Sequence, residues 1–399
     1  MIVNVVQRNA YIVHALRTPI ARAKRGKKGG VFSNVHPTDL GATVVRELVA
    51  RAKLEPDKIE DLIFGCATQT GKQGFNTARL IALKALGEKV PATTVNRLCG
   101  SGEEAVNIAA SKILAGFNNL LIAGGVESMS QVPIGSDMLP FPGKLKNIWE
   151  ILTQGKQAIR ETLPPDYNFH WMIESGEKVA LKYGITREEM DRFSFESHMK
   201  ASHATQEGYF KNEIVPVGNV SIDDGIRKDT SVEKLGNLKP VSQNSDLITA
   251  GNSSQITDGA AALLLASDEA VEKYNLKPRA KIVAVSVVGS DPEVQLDGPI
   301  FVIPKVLEKA GLKLGDIDLF EINEAFASVV VATMKELKID PNKVNVNGGA
   351  VALGHPLGSS GARLLVTLLN ELERRKLQYG LAALCIGGGQ AIATIIERV

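Results

Sequence analysis

The sequence predicts an α/β fold of two similar halves with a long insertion between them. Short β-branched runs alternate with helical patterns from the N-terminus onward, the rhythm of parallel strands joined by crossover helices. The same kinds of segment then return in the same order near the C-terminus.

Taken in chain order, MIVNVVQRNAYIVHALRTPI alternates like a strand, its core being NAYIVHAL, and LGATVVRELVARA carries helical spacing. DLIFGCA is the next strand and TARLIALKAL the next helix. IEDLIFGC at 59–66 is echoed by IDLFEIN at 317–323, and NLLIAGGVES at 119–128 by AALCIGGGQA at 382–391. Between these pairs each half opens a glycine-rich strand-to-helix turn: LCGSGEEAVNIAA around Cys99, GHPLGSSGARLLVTLL around His355. The expected division is 1–126 with 251–278 as the first half, 127–250 as an inserted loop or lid domain, and 279–399 as the second half. The insertion is rich in turns (VPIGSD, LPFPGK, TLPPDYN, DDGIRKD) with an amphipathic helix in REEMDRFSFESHMKASHATQEG, and is expected to lie over the first half. ITAGNSSQITDGAAALLLAS then returns to the core as a buried helix or strand.

With 399 residues, 44% hydrophobic and 23% charged, the chain has enough apolar material for a globular protein of two to three domains. A net charge of +2 argues against a general nucleic-acid binder. The basic run Arg17, Arg22, Lys24, Arg25, Lys27 and Lys28 reads as a solvated loop, with a phosphorylated ligand as the alternative. Cysteines at 66, 99 and 385 make neither a disulfide framework nor a zinc motif, so a reducing compartment is expected. No secretory or transit segment and no apolar run long enough to span a membrane is legible, which places the expected location in the cytoplasm. GCATQTGKQ lacks phosphate-loop spacing, no GxGxxG follows the first strand, and His198 and His203 miss the one-turn spacing of a metal pair and read as exposed helix residues.

Four pieces are candidates for one site. Cys99 precedes a helix, where free N–H groups and the macrodipole favour a thiolate, although a lone cysteine there also reads as a small core residue. His355 sits between Gly354 and Pro356 on an irregular turn, where packing rarely asks for an imidazole. Cys385 ends the apolar strand LAALC, as a buried thiol or as a functional one. Asn323 either caps a helix or faces the site. Together, a cysteine, a base-capable histidine and a second cysteine at successive strand ends suit one covalent reaction.

NRLCGSG, GGVESMS, GNSSQITDGAA, NEAFA, NVNGGAVALGHPLGSSGAR and CIGGGQAIAT, in this order and spacing, resemble the thiolase family from RTPIAR to IERV. The resemblance implies the thiolase fold, two βαβαβαββ halves in a layered α-β-α-β-α core plus an inserted loop domain. It implies acyl transfer between acyl-CoA and coenzyme A as co-substrate, with no tightly bound cofactor and no metal. QGFNTAR, VPIGSD, DPEV and ATIIERV are similar to the degradative 3-ketoacyl-CoA thiolases of β-oxidation, with biosynthetic acetyl-CoA acetyltransferases as the alternative. By the same resemblance Cys99 is the nucleophile, His355 its base and Cys385 the acid and base at the substrate carbon. Asn323 holds a water beside His355 in one oxyanion site, and the N–H groups of Cys99 and Gly387 form the other. Ser254 is matched to a contact of the pantetheine arm and Met172 to the acyl pocket, where FHWMIESGEKVA departs from the family's usual small residues. A homodimer or homotetramer is implied, and in complex-forming members a hydratase/dehydrogenase partner.

Overall fold

Strand β1 (Tyr11–Arg17) leads into β2 (Ala21–Arg22) and helix α1 (Pro37–Ala52), in a computed structural model that describes residues 8–23, 29–138, 163–164, 167–168, 170–243 and 245–399. Helix α1 starts where Pro37 presets the first turn and the His36 ring accepts from the Thr38 N–H, and it stops at Lys53 in the left-handed region. Next come β3 (Asp61–Gly65), α2 (Thr77–Ala85), β4 (Ala92–Val95), α3 (Ser101–Leu114) and β5 (Leu120–Ser128). The insertion contributes α4 (Met172–Tyr183) and α5 (Arg187–Gln206), and the chain re-enters as strand β6 (Thr257–Ala266). The second half runs β7 (Ala280–Gly289), α6 (Pro299–Ala310), β8 (Leu319–Ile322), α7 (Ala327–Leu337), α8 (Leu357–Arg375), β9 (Tyr379–Ile386) and β10 (Gln390–Arg398).

The strands line up as β4-β3-β5-β6-β1-β7-β10-β9-β8. The expected parallel pairing holds for β4, β3 and β5 and for β8 with β9; β6, β1, β7 and β10 are antiparallel to their neighbours. The reason is local: β9 returns directly into β10 through Gly387, Gly388 and Gly389, without the helix that a parallel crossover needs. The two halves share this topology. Where the first has β4, however, the second has only the parallel bridge of Phe320 with Val344. Strand β5 also runs to Ser128, two residues past the expected boundary at 126.

Three apolar clusters define five layers. α1 and α2 cover the outer face of the first half, α6 and α7 that of the second, and α3 and α8 lie between the two sheet regions. The central helices come close because α3 is built of small residues: a Cβ on Gly102 would stand 2.7 Å from the Gly358 carbonyl oxygen. Among the described residues sheet pairing between the halves is confined to Tyr11 with Lys281 and Ile12 with Ala280, and the packing of α8 on α3, β5 and β6 supplies most of the joint. Each fully buried Leu or Ile in that layer contributes roughly 1.5–3 kcal/mol.

Three expectations are corrected here. The helices of the insertion pack on the second half, where Val179, Ala180, Met190 and Phe193 share a cluster with Phe320, Phe326 and Val330, while its later stretch does lie on the first half, with Val215 in the α1 cluster and Glu213 and Asp223 on Arg17. Arg17 is not part of a solvated basic loop but is fully buried, bonded to Glu213 Oε1 at 2.6 Å and to both Asp223 oxygens at 2.7 and 2.9 Å. Its acidic partners lie some two hundred positions away, so no local reading reveals them. Lys24, Arg25, Lys27 and Lys28 fall outside the described residues, as does LPFPGK. His198 is buried and accepts from the Arg227 N–H at 3.2 Å; desolvation, with the Arg227 charge adding to it, pushes its pKa down to about 4. Among the described residues no helix is long and apolar enough to cross a membrane.

Candidate active site

The turn carrying Cys99 is fixed from both sides. Asn96 Oδ1 accepts from the Leu98 N–H at 2.8 Å, and Ser101 Oγ accepts from the Arg97 N–H and donates to the Leu98 carbonyl. Leu98 is held at φ 47°, a left-handed conformation costly for a branched side chain. A Cβ on Gly100 would meet Ile386 Cδ1 at 2.6 Å and force that side chain to shift, so the turn sits directly on the end of β9. Cys99 is half-buried, whereas Cys66 and Cys385 are buried. The backbone N–H groups of Gly387 and of Cys99 itself lie close enough to the Cys99 sulfur to favour its thiolate. The expected thiolate is not the resting state: desolvation raises the Cys99 pKa to about 11, against those two N–H groups.

His355 occupies the matching turn of the second half and is buried. Ser360 Oγ lies 2.6 Å from its Nδ1 and 2.9 Å from the Pro356 carbonyl; with the hydroxyl hydrogen assigned to that carbonyl, Nδ1 carries the ring proton. Nε2 is thereby left as an acceptor, 3.3 Å from Asn323 Nδ2. Burial, with the Arg363 guanidinium adding to it, pushes the imidazole down to about 3, and the ring is neutral. Asn323 is not a helix cap, since α7 starts after Phe326; its N–H bonds the Ala383 carbonyl, and its Oδ1 is buried with no protein partner among the described residues.

Cys385 ends β9 opposite Ala391, and burial, reinforced by the Cys99 sulfur nearby, holds its thiol well above the ordinary range. A Cβ on Gly387 would stand 3.5 Å from both Leu98 Cδ1 and Met172 Sδ, which brings Met172 to the rim of the thiol pair. Ser254 bonds through its N–H to the Ala325 carbonyl, while the neighbouring Gln255 carbonyl takes the His355 N–H. Cys99, Gly387, Cys385 and Met172 form one group of contacts and Asn323, His355 and Ser254 another, and the two meet where Leu357, two residues after His355, shares an apolar cluster with Cys99.

Sequence reasoning missed the residues that hold these groups. Gln295, at φ 64°, accepts from the Gly388 N–H at 2.8 Å and donates to Ser175 and to the His170 carbonyl, joining the CIGGG turn to the insertion. Glu324 is buried and accepts from Ser197, Asn345 and the Val351 N–H. Only the glutamates inside GGVES and NEAF, charged residues in apolar strand ends, gave a local hint.

Comparison with known proteins gives the family. The thiolase N-terminal domain family matches residues 10–269 and the thiolase C-terminal domain family residues 276–398. The steroid 3-ketoacyl-CoA thiolase FadA6 of Mycobacterium tuberculosis is 43% identical, over 99% of this chain and 95% of its own. The 3-ketoacyl-CoA thiolase of Bacillus subtilis is also 43% identical, over 98% of this chain and 99% of its own. The crystal structure of the Bacillus anthracis acetyl-CoA acetyltransferase superposes with a TM-score of 0.87 at 39% identity, covering 98% of this chain and 99% of that one. A duplicated half, a thiol pair and full-length likeness at this level have one reading: the chain belongs to the thiolase family and is an acyltransferase.

Proposed function

We propose that the chain is a degradative 3-ketoacyl-CoA thiolase, cleaving its substrate with coenzyme A into acetyl-CoA and a shortened acyl-CoA. Cys99 Sγ attacks the 3-keto carbon while its proton passes to His355 Nε2, and the 3-keto oxygen becomes an alkoxide under the N–H groups of Cys99 and Gly387. Collapse of the alkoxide breaks the bond between C2 and C3, leaving an S-acyl Cys99. The electron pair moves to the thioester oxygen of the leaving acetyl-CoA enolate, held by protonated His355 and a water on Asn323. Cys385 protonates C2 to release acetyl-CoA. Its thiolate then takes the proton of the incoming CoA thiol, whose sulfur attacks the acyl group; Cys99 leaves and recovers its proton from His355.

The observation that carries this reading is the meeting of two backbone N–H groups on the Cys99 sulfur beside a neutral imidazole that keeps an acceptor nitrogen. Two thiols held protonated by burial suit a pair that must each surrender a proton only when substrate is in place. Ser254 is assigned to the pantetheine arm and Met172 to the acyl pocket.

A biosynthetic acetyl-CoA acetyltransferase is the second reading, favoured by the superposition on the Bacillus anthracis enzyme. The steroid relative widens the range of acyl groups to be tried. Thiolysis rates across 3-ketoacyl-CoAs, from acetoacetyl-CoA to 3-ketopalmitoyl-CoA, decide between them. The degradative reading expects turnover to persist on the longer chains; turnover confined to acetoacetyl-CoA overturns it.

A further inference from the structure

We infer that Glu127 is a positioning residue: its buried carboxylate clamps the His355 turn of one half to the Cys99 turn of the other. The inference rests on the roles given above to Cys99 and His355. Glu127 ends β5 and is fully buried. Its Oε2 accepts from the Ala67 N–H at 2.9 Å and the Gly358 N–H at 2.8 Å; its Oε1 accepts from the Thr68 N–H at 3.2 Å and Gln73 Nε2 at 2.7 Å. All four partners are donors, so the ionised carboxylate is the form that suits them best: burial pushes the Glu127 pKa up, and the four hydrogen bonds oppose that rise.

The clamp reaches both turns. Gly358 stands in the first turn of α8, three residues beyond His355. On the other side the Ala67 carbonyl accepts from Asn96 Nδ2 at 2.9 Å, and Asn96 Oδ1 accepts from the N–H of Leu98, the residue before the nucleophile. An unbroken hydrogen-bonded path therefore runs from the helix that follows His355, through Glu127, Ala67 and Asn96, to the turn of Cys99. Close packing makes the path short: a Cβ on Gly358 would stand 2.8 Å from Glu127 Oε2, and one on Gly125 only 1.9 Å from the Gly358 carbonyl oxygen. The negative charge also reaches Cys99, where it adds to burial in keeping the proton on sulfur until substrate arrives.

Glu127→Gln tests this, because a glutamine in either flip turns its NH2 toward two of the four donors. Three readouts are taken on the full chain: thermal unfolding, kcat for thiolysis, and the pH dependence of Cys99 alkylation by iodoacetamide. A misplacement of about 1 Å between nucleophile and base costs on the order of 100-fold in kcat. Loss of the charge moves the alkylation midpoint down by about one pH unit. Glu127→Asp, which keeps the charge on a shorter arm, should restore the wild-type midpoint without restoring full kcat. A folded Glu127→Gln protein with wild-type kcat and an unmoved midpoint overturns the clamp, whatever its unfolding temperature. If Glu127→Gln does not fold, Gln73→Ala removes one of the four donors to Glu127, along with the Gln73 bonds to the Thr68 carbonyl and the Ser128 N–H: a several-fold fall in kcat in the folded variant supports the clamp, and unchanged kcat overturns it. Acyl transfer to Cys99 of the wild-type protein is measured alongside; its absence refutes the nucleophile assignment, a failure separate from that of the clamp.

Discussion

The turn of Cys99 and the turn of His355 occupy the same place in the two halves, yet they present opposite faces of the same chemistry. Each opens a central helix, α3 or α8, the Cys99 turn following β4 and the His355 turn following a short helix at Ala350–Leu353. Cys99 is left half-open to a substrate and faced by two N–H groups; His355 is buried, its Nδ1 fixed by Ser360 and its Nε2 left to accept. Duplication supplies matched scaffolds, and a few side chains then leave one turn with a half-exposed thiol and the other with a sheltered imidazole. Close packing of α3 on α8 sets the two turns side by side.

The largest expected effect comes from removing the exposed partner. Cys99→Ala should lower thiolysis by on the order of 10⁴-fold or more with the unfolding temperature little changed. Retention of more than a hundredth of the rate would put the nucleophile elsewhere. On the sheltered side, His355→Ala should cost about 10²–10⁴-fold in kcat. Cys385→Ser should show a similar loss of thiolysis while acetyl-CoA still acylates Cys99, and unchanged turnover would remove Cys385 from the proton transfers. Asn323→Ala should cost about 10²–10³-fold, the scale of one oxyanion donor, read as a fall in kcat with little change in KM.

The smallest effect concerns stability. His355 is held down to about 3 from its ordinary value of 6.5. Between those values the unfolded chain binds a proton that the folded chain refuses, so stability falls as pH drops below about 6.5. Unfolding temperatures measured from pH 7 down to 5 should decline, and the decline should be shallower in His355→Gln. Equal slopes in the two proteins would show that the buried imidazole does not carry this sensitivity.

Much of this was legible in the sequence because the chemistry sits in local motifs. The echo of IEDLIFGC in IDLFEIN, and of the Cys99 turn in the His355 turn, revealed the duplicated topology, and the motif glycines marked where backbone meets backbone. What escaped was set by distant partners. The antiparallel strands follow from how β9 turns back, the burial of Arg17 from Glu213 and Asp223, and the docking of α4 from apolar residues of α7. At the site, a helix N-terminus suggested a thiolate at Cys99, but desolvation outweighs two N–H groups and keeps the thiol protonated. Position along the chain shows the dipole; only the folded surroundings show the burial.

Mass spectrometry of the protein mixed with acetyl-CoA, followed by peptide mapping, tests the division of labour between the two turns most directly. The account predicts one acetyl adduct, on the peptide carrying Cys99, present in wild type and in Cys385→Ser and absent in Cys99→Ala. An adduct on the Cys385 peptide, or none at all in wild type, would contradict it.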